Sequence, residues 1–381
     1  MIRVFKKGTV YAPEKLGVRD ILVVGGKIAR IAEHIDEYDN IPDAEVFDLS
    51  GKTVTPGYVD IHVHVAGAGG ASGFSSRAPE ASTKELVQSG ITTVLGMQGT
   101  DGVSRSLENL LAKTRAINED GLTAYMLTGS YGYPSNNLFG TVERDVALIR
   151  ECIGVKIATS DHRSNNPGTK ELIEAATDAR RGGMLSGVAG LTTVHMGAGE
   201  AALEPVLGVF SQGDVPYKNV LPTHVTRAPK LMAQAMDFIR MGGTVDVTVG
   251  TGKDGWAKTG AKILELLACD EDHSHVTMTS DAYRSGKRID GRPGYASPLN
   301  DHFQLRWLVQ EGGLPLEEAL KLLTSNPARM IAKTGVKGCI AVGADADILV
   351  MDDDMTITDL FAKGKTAMRD GVVYIKGKFE E

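Results

Sequence analysis

Cysteine is scarce. Cys152, Cys269 and Cys339 are scattered through 381 positions without the spacing of a thiolate metal site or a redox pair, and they read as small buried residues. Long apolar runs are missing too: none approaches the roughly 20 residues that a membrane-spanning helix requires. The N-terminal stretch MIRVFKKGTVYAPEKLG has no apolar core followed by a cleavage site. A membrane partner is therefore not expected, and residence in the cytoplasm is. There is no surplus of basic residues either, and a net charge of -7 argues against nucleic acid as the main partner. What remains, 42% hydrophobic and 23% charged residues, is the composition of an ordinary globular protein, long enough for one large domain and a smaller one.

Both ends of the chain are β-rich. IRVFKKGTVY and DILVVGGKIARIAE open it, with a hairpin expected at Gly25-Gly26, and IAVGADADILVMDDDMTITDLFAKGKTAMRDGVVYIKGK has the same character near its end. Residues 1–54 and 338–381 are expected to combine into one small β-sandwich domain. Between them, over 55–337, short apolar strands alternate with amphipathic helices, the pattern of a parallel sheet with helical crossovers. Eight strands can be counted: TVTPGYVDIHVHV, ITTVLGMQ, LTAYMLTGSY, GVKIATSD, LTTVHMG, NVLPTHV, GTVDVTVG and HVTMTSDA. Helix candidates such as SLENLLAKTRAINEDG, TKELIEAATDARRGG and APKLMAQAMDFIRMGG follow the strands, and glycine is the expected stop at several helix ends. The expected fold is α/β, a (β/α)8 TIM-like barrel whose active site lies at the C-terminal strand ends.

Ionisable residues occur where a buried strand should not want them. His62 and His64 end the first strand, Lys156 lies in the fourth, His195 in the fifth, His224 in the sixth and Asp281 after the eighth. In a barrel these positions meet at one mouth, and residues two apart in a strand share a face, so His62 and His64 can hold one cation together. A single strand-end histidine is more often structural than a ligand. Six such residues at corresponding positions point to metal. An ammonium among cations would be repelled, and burial lowers a lysine's pKa. A neutral amine, by contrast, can capture CO2 as a carbamate whose two oxygens bridge two metals; a Lys156 reaching out to solvent is the plainer alternative. Imidazole, carboxylate and carbamate without thiolate suit zinc best, with manganese, cobalt or nickel as substitutes. Two metals about 3.5–4 Å apart make a bridging hydroxide at neutral pH and polarise a carbonyl. Asp281 would take that hydroxide's proton as general base and deliver it to a leaving nitrogen as general acid, which makes the reaction class hydrolysis of an amide-like bond.

TPGYVDIHVH and GADADILVMD make the chain resemble the amidohydrolase superfamily. Within it, the likeness to the isoaspartyl (β-aspartyl) dipeptidases runs along nearly the whole chain, through GTDGVSRSLENLLAKTRA, MLTGSY, GVKIATSDHRS, VHMG, PTHVTR and TSDAYRS. That resemblance implies a zinc-dependent metallopeptidase with two Zn2+ per chain, a carboxylated Lys156 bridging them, and cleavage of β-linked aspartyl dipeptides. It also implies a homo-oligomer built from dimers. By the same resemblance His62 and His64 hold one metal with Asp281, and His195 and His224 hold the other. Tyr131 polarises the scissile carbonyl, and Arg163 and Arg227 grip the carboxylate of the departing amino acid. Gly69, Thr100 and Ser285 receive the α-carboxylate of the aspartyl half. His162 has no assigned chemistry.

The likeness breaks at one position. The family's glycine-rich loop carries a glutamate for the substrate's free α-amine, and this chain has Ala71, followed by Ser72. Glu80, in the matching RAPE, has its own place. Three readings follow: a dipeptidase with weakened amine recognition, a relative acting on an acidic N-substituted or cyclic amide without a free amine, or a carboxylate such as Asp101 taking over. Arg284, Lys287 and Arg288 would make the mouth more positive if they turn inward. A cyclic-amide hydrolase or aminoacylase is the catalytic rival, which need not keep Arg163 and Arg227. A non-catalytic scaffold is the other, and it would be expected to lose ligands that are all present.

Overall fold

The computed structural model describes residues 1–381. Eight parallel strands, Tyr58–Val63, Ile91–Gly96, Thr123–Gly129, Cys152–Thr159, Leu191–Met196, Val220–Thr223, Val245–Thr248 and Val276–Thr279, pair in chain order. The last returns to the first through a parallel bridge between Val63 and Ala282, and the His64 N–H donates to the Ala282 carbonyl at 3.1 Å. The first, second, fourth and fifth strands are buried along their whole length. Parallel strands covered on both faces behave in this way, so an ionisable side chain within them must be satisfied inside the protein. The (β/α)8 barrel is thus the observed fold. No helix is long and apolar enough to cross a membrane.

Local chemistry explains most element boundaries. The helix Leu107–Asp120 starts where Ser106 accepts a hydrogen bond from the Asn109 N–H, and it ends at Gly121. The helix Thr169–Ser186 differs from expectation, because it runs through Gly182-Gly183 and stops only at Gly187, whose φ of 71° is left-handed. A Cβ on Gly182 would lie 2.6 Å from the Glu143 carbonyl oxygen and 2.8 Å from Val146. Gly182 lets the helix Val142–Leu148 approach closely and Gly183 packs on Gly190, so both serve packing and not termination. The stretch read as one strand from Thr53 is two. Thr53–Pro56 belongs to the terminal sheet and Tyr58–Val63 to the barrel, with the break at Gly57, where a Cβ would collide with Thr92 at 2.4 Å. After the eighth strand comes a small hairpin, Ser285–Lys287 with Pro293–Tyr295, that the pattern did not announce.

The two termini form one nine-stranded sheet. Ile2–Tyr11 pairs with Lys15–Val24, with Ala44–Asp48 through its first half and with Thr53–Pro56 through its second, while Thr53–Pro56 joins Ile348–Met351. The expected hairpin is present, with Gly25 and Gly26 at φ 61° and 86°. The sandwich expectation needs restating, since a single sheet folds over its own core. Phe361 lies three strands from Phe5, about 14 Å along a flat sheet, yet their rings are 4.6 Å apart, with Phe47 stacked on Phe5 at 5.0 Å. The chain end reaches the barrel as well. The Glu380 carboxylate accepts the N–H groups of Thr83 (3.0 Å) and Lys84 (2.8 Å), capping the first barrel helix, Thr83–Gln88.

Candidate active site

All six ligand candidates meet at the C-terminal mouth of the barrel, each at most 4% exposed. His62 Nε2 lies 3.2 Å from Lys156 Nζ and 3.5 Å from Asp281 Oδ1, and His64 Nε2 lies 2.9 Å from that same oxygen. The His224 ring sits between those of His62 and His195, at centroid distances of 5.0 and 4.5 Å. His224 and Asp281 occupy the turns just past their strands with φ of 65° and 49°. Such left-handed backbone costs of order 1–3 kcal/mol at a non-glycine residue and persists where the surroundings over-determine it.

Burial sets the protonation of the cluster. It holds His62 and His224 well below the usual imidazole range, lowers His195 to about 3 and lowers Lys156 to about 7. Burial alone would raise Asp281, but the positive charge around it, with Arg284 Nε at 2.8 Å, outweighs that and keeps the carboxyl well below its ordinary value. The Met97 carbonyl, 3.0 Å from His64 Nδ1, can only accept. His64 Nδ1 therefore carries the proton, and its Nε2 lone pair faces a carboxylate oxygen. Only a second proton or a cation reconciles those two atoms. His62 is held alike: Thr223 gives its hydroxyl proton to Asp246 (2.6 Å) and lies 3.3 Å from His62 Nδ1, while Thr248 Oγ1 sits 2.5 Å from His224 Nδ1. Buried neutral imidazoles oriented by outer oxygens, a neutralisable amine and an ionised carboxylate fit divalent metals. His62, His64 and Asp281 offer ligand atoms all within 4.8 Å of one another.

Beside this cluster, Tyr131 Oη lies 2.8 Å from His195 Nδ1. Asp161, which the sequence reading passed over, organises this side. It accepts Arg163 Nε (2.9 Å) and Nη2 (2.7 Å) in a bidentate pair, lies 2.9 Å from His195 Nε2 and stands 3.7 Å from Arg227 Nη1. Arg227 Nη1 also approaches His195 Nε2 at 2.8 Å, but the Met196 carbonyl offers it an acceptor at 3.2 Å. We therefore place the His195 proton on Nε2, which leaves the Nδ1 lone pair to accept from the Tyr131 hydroxyl. Burial would raise the Asp161 carboxyl, yet the bonds from Arg163 and His195 hold it far below its usual range. A second buried carboxylate, Asp246, also accepts from Thr277 and Thr279 at 2.8 Å each and is raised to about 6 by burial. The available signal for both was an acid next to, or within, an apolar strand.

A cavity of roughly 500 Å³ opens above these groups. Tyr131, Arg163 and Arg227 line it, and so do Gly69, Thr100 and Ser285. Ser285 Oγ donates to the Ser76 carbonyl at 2.8 Å, so that hydroxyl is committed to the loop. Gly69, at φ 84°, has no room for a Cβ, which would lie 2.3 Å from Ser285 Oγ. Ala71 and Ser72 line the same wall. The acids considered as replacements for a carboxylate at Ala71 are already engaged, although Asp101 stands beside the loop, where a Cβ on Gly70 would lie 3.9 Å from its Oδ2. Asp101 accepts the N–H groups of Val103 and Ser104 and faces Arg77 at 3.9 Å, and Glu80 accepts from Asn109 at 3.1 Å. Asp101 thus already caps the turn at Val103 and Ser104. Arg284 turns inward, whereas Lys287 and Arg288 stay exposed on the hairpin, and His162 has an 87% exposed side chain away from the cluster.

Comparison with known proteins identifies the family. Residues 53–191 and 186–375 each match a model of the amidohydrolase family. A solved structure of β-aspartyl dipeptidase from the thermophilic keratin degrader Fervidobacterium islandicum AW-1 is 35% identical, with a TM-score of 0.90 over 98% of this chain and 99% of that one. A second, in complex with the dipeptide β-Asp-Leu, is 36% identical with a TM-score of 0.89 over the same shares. A dihydroorotase from Lactobacillus leichmannii is 24% identical over 96% of this chain and 92% of its own length.

Proposed function

The chain belongs to the β-aspartyl dipeptidase family of the amidohydrolases, and from that premise we propose that it hydrolyses the side-chain amide of β-aspartyl compounds with two zinc ions at the barrel mouth. His62, His64 and Asp281 would hold one ion and His195 and His224 the other, with Lys156, as its carbamate, a ligand shared between them. When bound, such a pair supplies Lewis acidity and lowers the pKa of water into the neutral range.

The remaining work falls to side chains. Asp281 takes a proton as the water oxygen bonds to the β-carbonyl carbon, and it gives that proton to the leaving nitrogen as the C–N bond breaks. Tyr131 donates a hydrogen bond to the carbonyl oxygen as negative charge grows there. Its hydroxyl keeps its proton at neutral pH, since burial raises its pKa well above the ordinary phenol value. Arg163 and Arg227 bind the α-carboxylate of the departing amino acid, an anion that paired guanidiniums suit. Backbone donors around Gly69 and Ser285 and the Thr100 hydroxyl receive the α-carboxylate of the aspartyl half. What supports this reading is one cavity in which His64, His224 and Asp281, three of the six candidate ligands, face the same space as Tyr131, Arg163 and Arg227.

The test is hydrolysis of β-aspartyl amides by zinc-loaded protein with the matching α-aspartyl amides as controls. Turnover of the β-linked series alone, lost on chelation and restored by zinc, is expected. A protein carrying about two zinc ions that cleaves no β-aspartyl amide would sink the proposal. Asp161→Asn keeps shape but removes charge from the group that orients His195 and Arg163. It is expected to lower kcat/KM by ~10–100-fold, chiefly through KM, and to leave fewer than two metals per chain by elemental analysis. Unchanged metal content and KM would show that Asp161 positions neither group.

A further inference from the structure

The cavity is unevenly charged. Arg163, Arg227 and Arg284 line it, against the single carboxylate of Asp281. That carboxylate is already engaged by His64 (2.9 Å), His62 (3.5 Å) and Arg284 Nε (2.8 Å). Of the remaining Arg284 donors, Nη1 lies 3.4 Å from the Ser285 carbonyl oxygen and Nη2 has no protein partner. Ser285 packs against the Gly69 loop, so Arg284 sits on the same side as the uncharged wall of Ala71 and Ser72. Asp161 and Asp101 are spent on Arg163 and on the Ser104 turn. A free ammonium on the acid half of a substrate would face guanidinium and metal charge with no carboxylate to receive it, and like charges in a partly enclosed site repel strongly.

Resting on the β-aspartyl amide reading above, we propose that Arg284 donates to the acyl oxygen of a blocked α-nitrogen, so that the substrates are N-acylated β-aspartyl amides and not free dipeptides. Acylation turns the cationic nitrogen neutral and adds the acceptor that Arg284 Nη2 lacks.

The experiment compares N-acetyl-β-Asp-Leu with β-Asp-Leu on zinc-loaded wild type, Arg284→Gln and Ala71→Glu. A kcat/KM ratio of about tenfold or more in favour of the acetyl form is expected in wild type, falling about tenfold in Arg284→Gln. Any effect of Arg284 on Asp281 acts on both substrates and cancels in that ratio. Ala71→Glu should shift preference toward the free dipeptide. Calorimetric binding of N-acetylaspartate against aspartate should show the same Arg284-dependent preference. A wild type that favours the free dipeptide, or ratios unchanged by Arg284→Gln in both assays, overturns the inference. If neither dipeptide is cleaved, the hydrolase reading falls, while the calorimetric ratio still decides this one.

Discussion

Lys156→Met is expected to give a chain that is more stable than wild type without metal and nearly inert with it. The amine is fully buried, and burial lowers its pKa from 10.5 to about 7. At ~1.4 kcal/mol per unit, keeping a lysine there costs about 5 kcal/mol relative to one left in water. Methionine removes that cost and matches a site already touching the sulfur of Met97 at 3.1 Å. On the proposed function, the variant also removes the side chain that would be shared between the two ions. A kcat loss of roughly three orders of magnitude or more, about 4 kcal/mol of transition-state stabilisation, is expected, together with fewer than two metals per chain. The pH dependence distinguishes this cause from simple repacking. Between pH about 7 and 10.5, unfolded chains hold a proton on Lys156 that folded chains have released, so metal-free wild type gains stability as pH rises through that window. The methionine variant should lack that gain in thermal melts, and a variant melting below wild type at pH 7 would contradict the account.

Asp281→Asn carries the other large effect. An amide cannot take the proton from water, which alone is worth ~10²–10⁴-fold. It also leaves Arg284 without its carboxylate partner and places an uncharged group against His62 and His64. A fall of about 10⁴-fold in kcat is expected. Because Arg163 and Arg227 are paired with Asp161 and not with Asp281, the affinity for a carboxylate-bearing product should survive. Stopped assays with calorimetric binding of leucine separate the two quantities. Retention of a tenth of wild-type turnover would remove Asp281 from the proton path.

The barrel was legible because a parallel strand covered on both faces is apolar throughout, so His62, Lys156 and His195 stand out inside such runs. Where the reading failed, the missing information was tertiary. Gly182-Gly183 looks like any helix stop until Gly182 meets the helix Val142–Leu148 and Gly183 meets Gly190, and Gly57 marks the change of sheet only through its contact with Thr92. Arg284, Lys287 and Arg288 form one basic cluster on paper, and the turn into the hairpin at Ser285 sends the first inward and the others out. Asp161 was hidden differently. Its neighbours Arg163 and His195 were both named for other tasks, and nothing in sequence order says that one carboxylate between them serves both.

The shared terminal sheet also constrains the order in which a newly made chain can be completed. Thr53 pairs with Met351, and the helix at Thr83 is capped by Glu380. At a synthesis rate of ~5–20 residues per second, the strand Thr53–Pro56 waits roughly 15–60 s for its partner. Through that interval its far edge stays unpaired, open to other chains. Residues translated about 300 positions later thus close the first segment of the barrel, and its assembly waits for them.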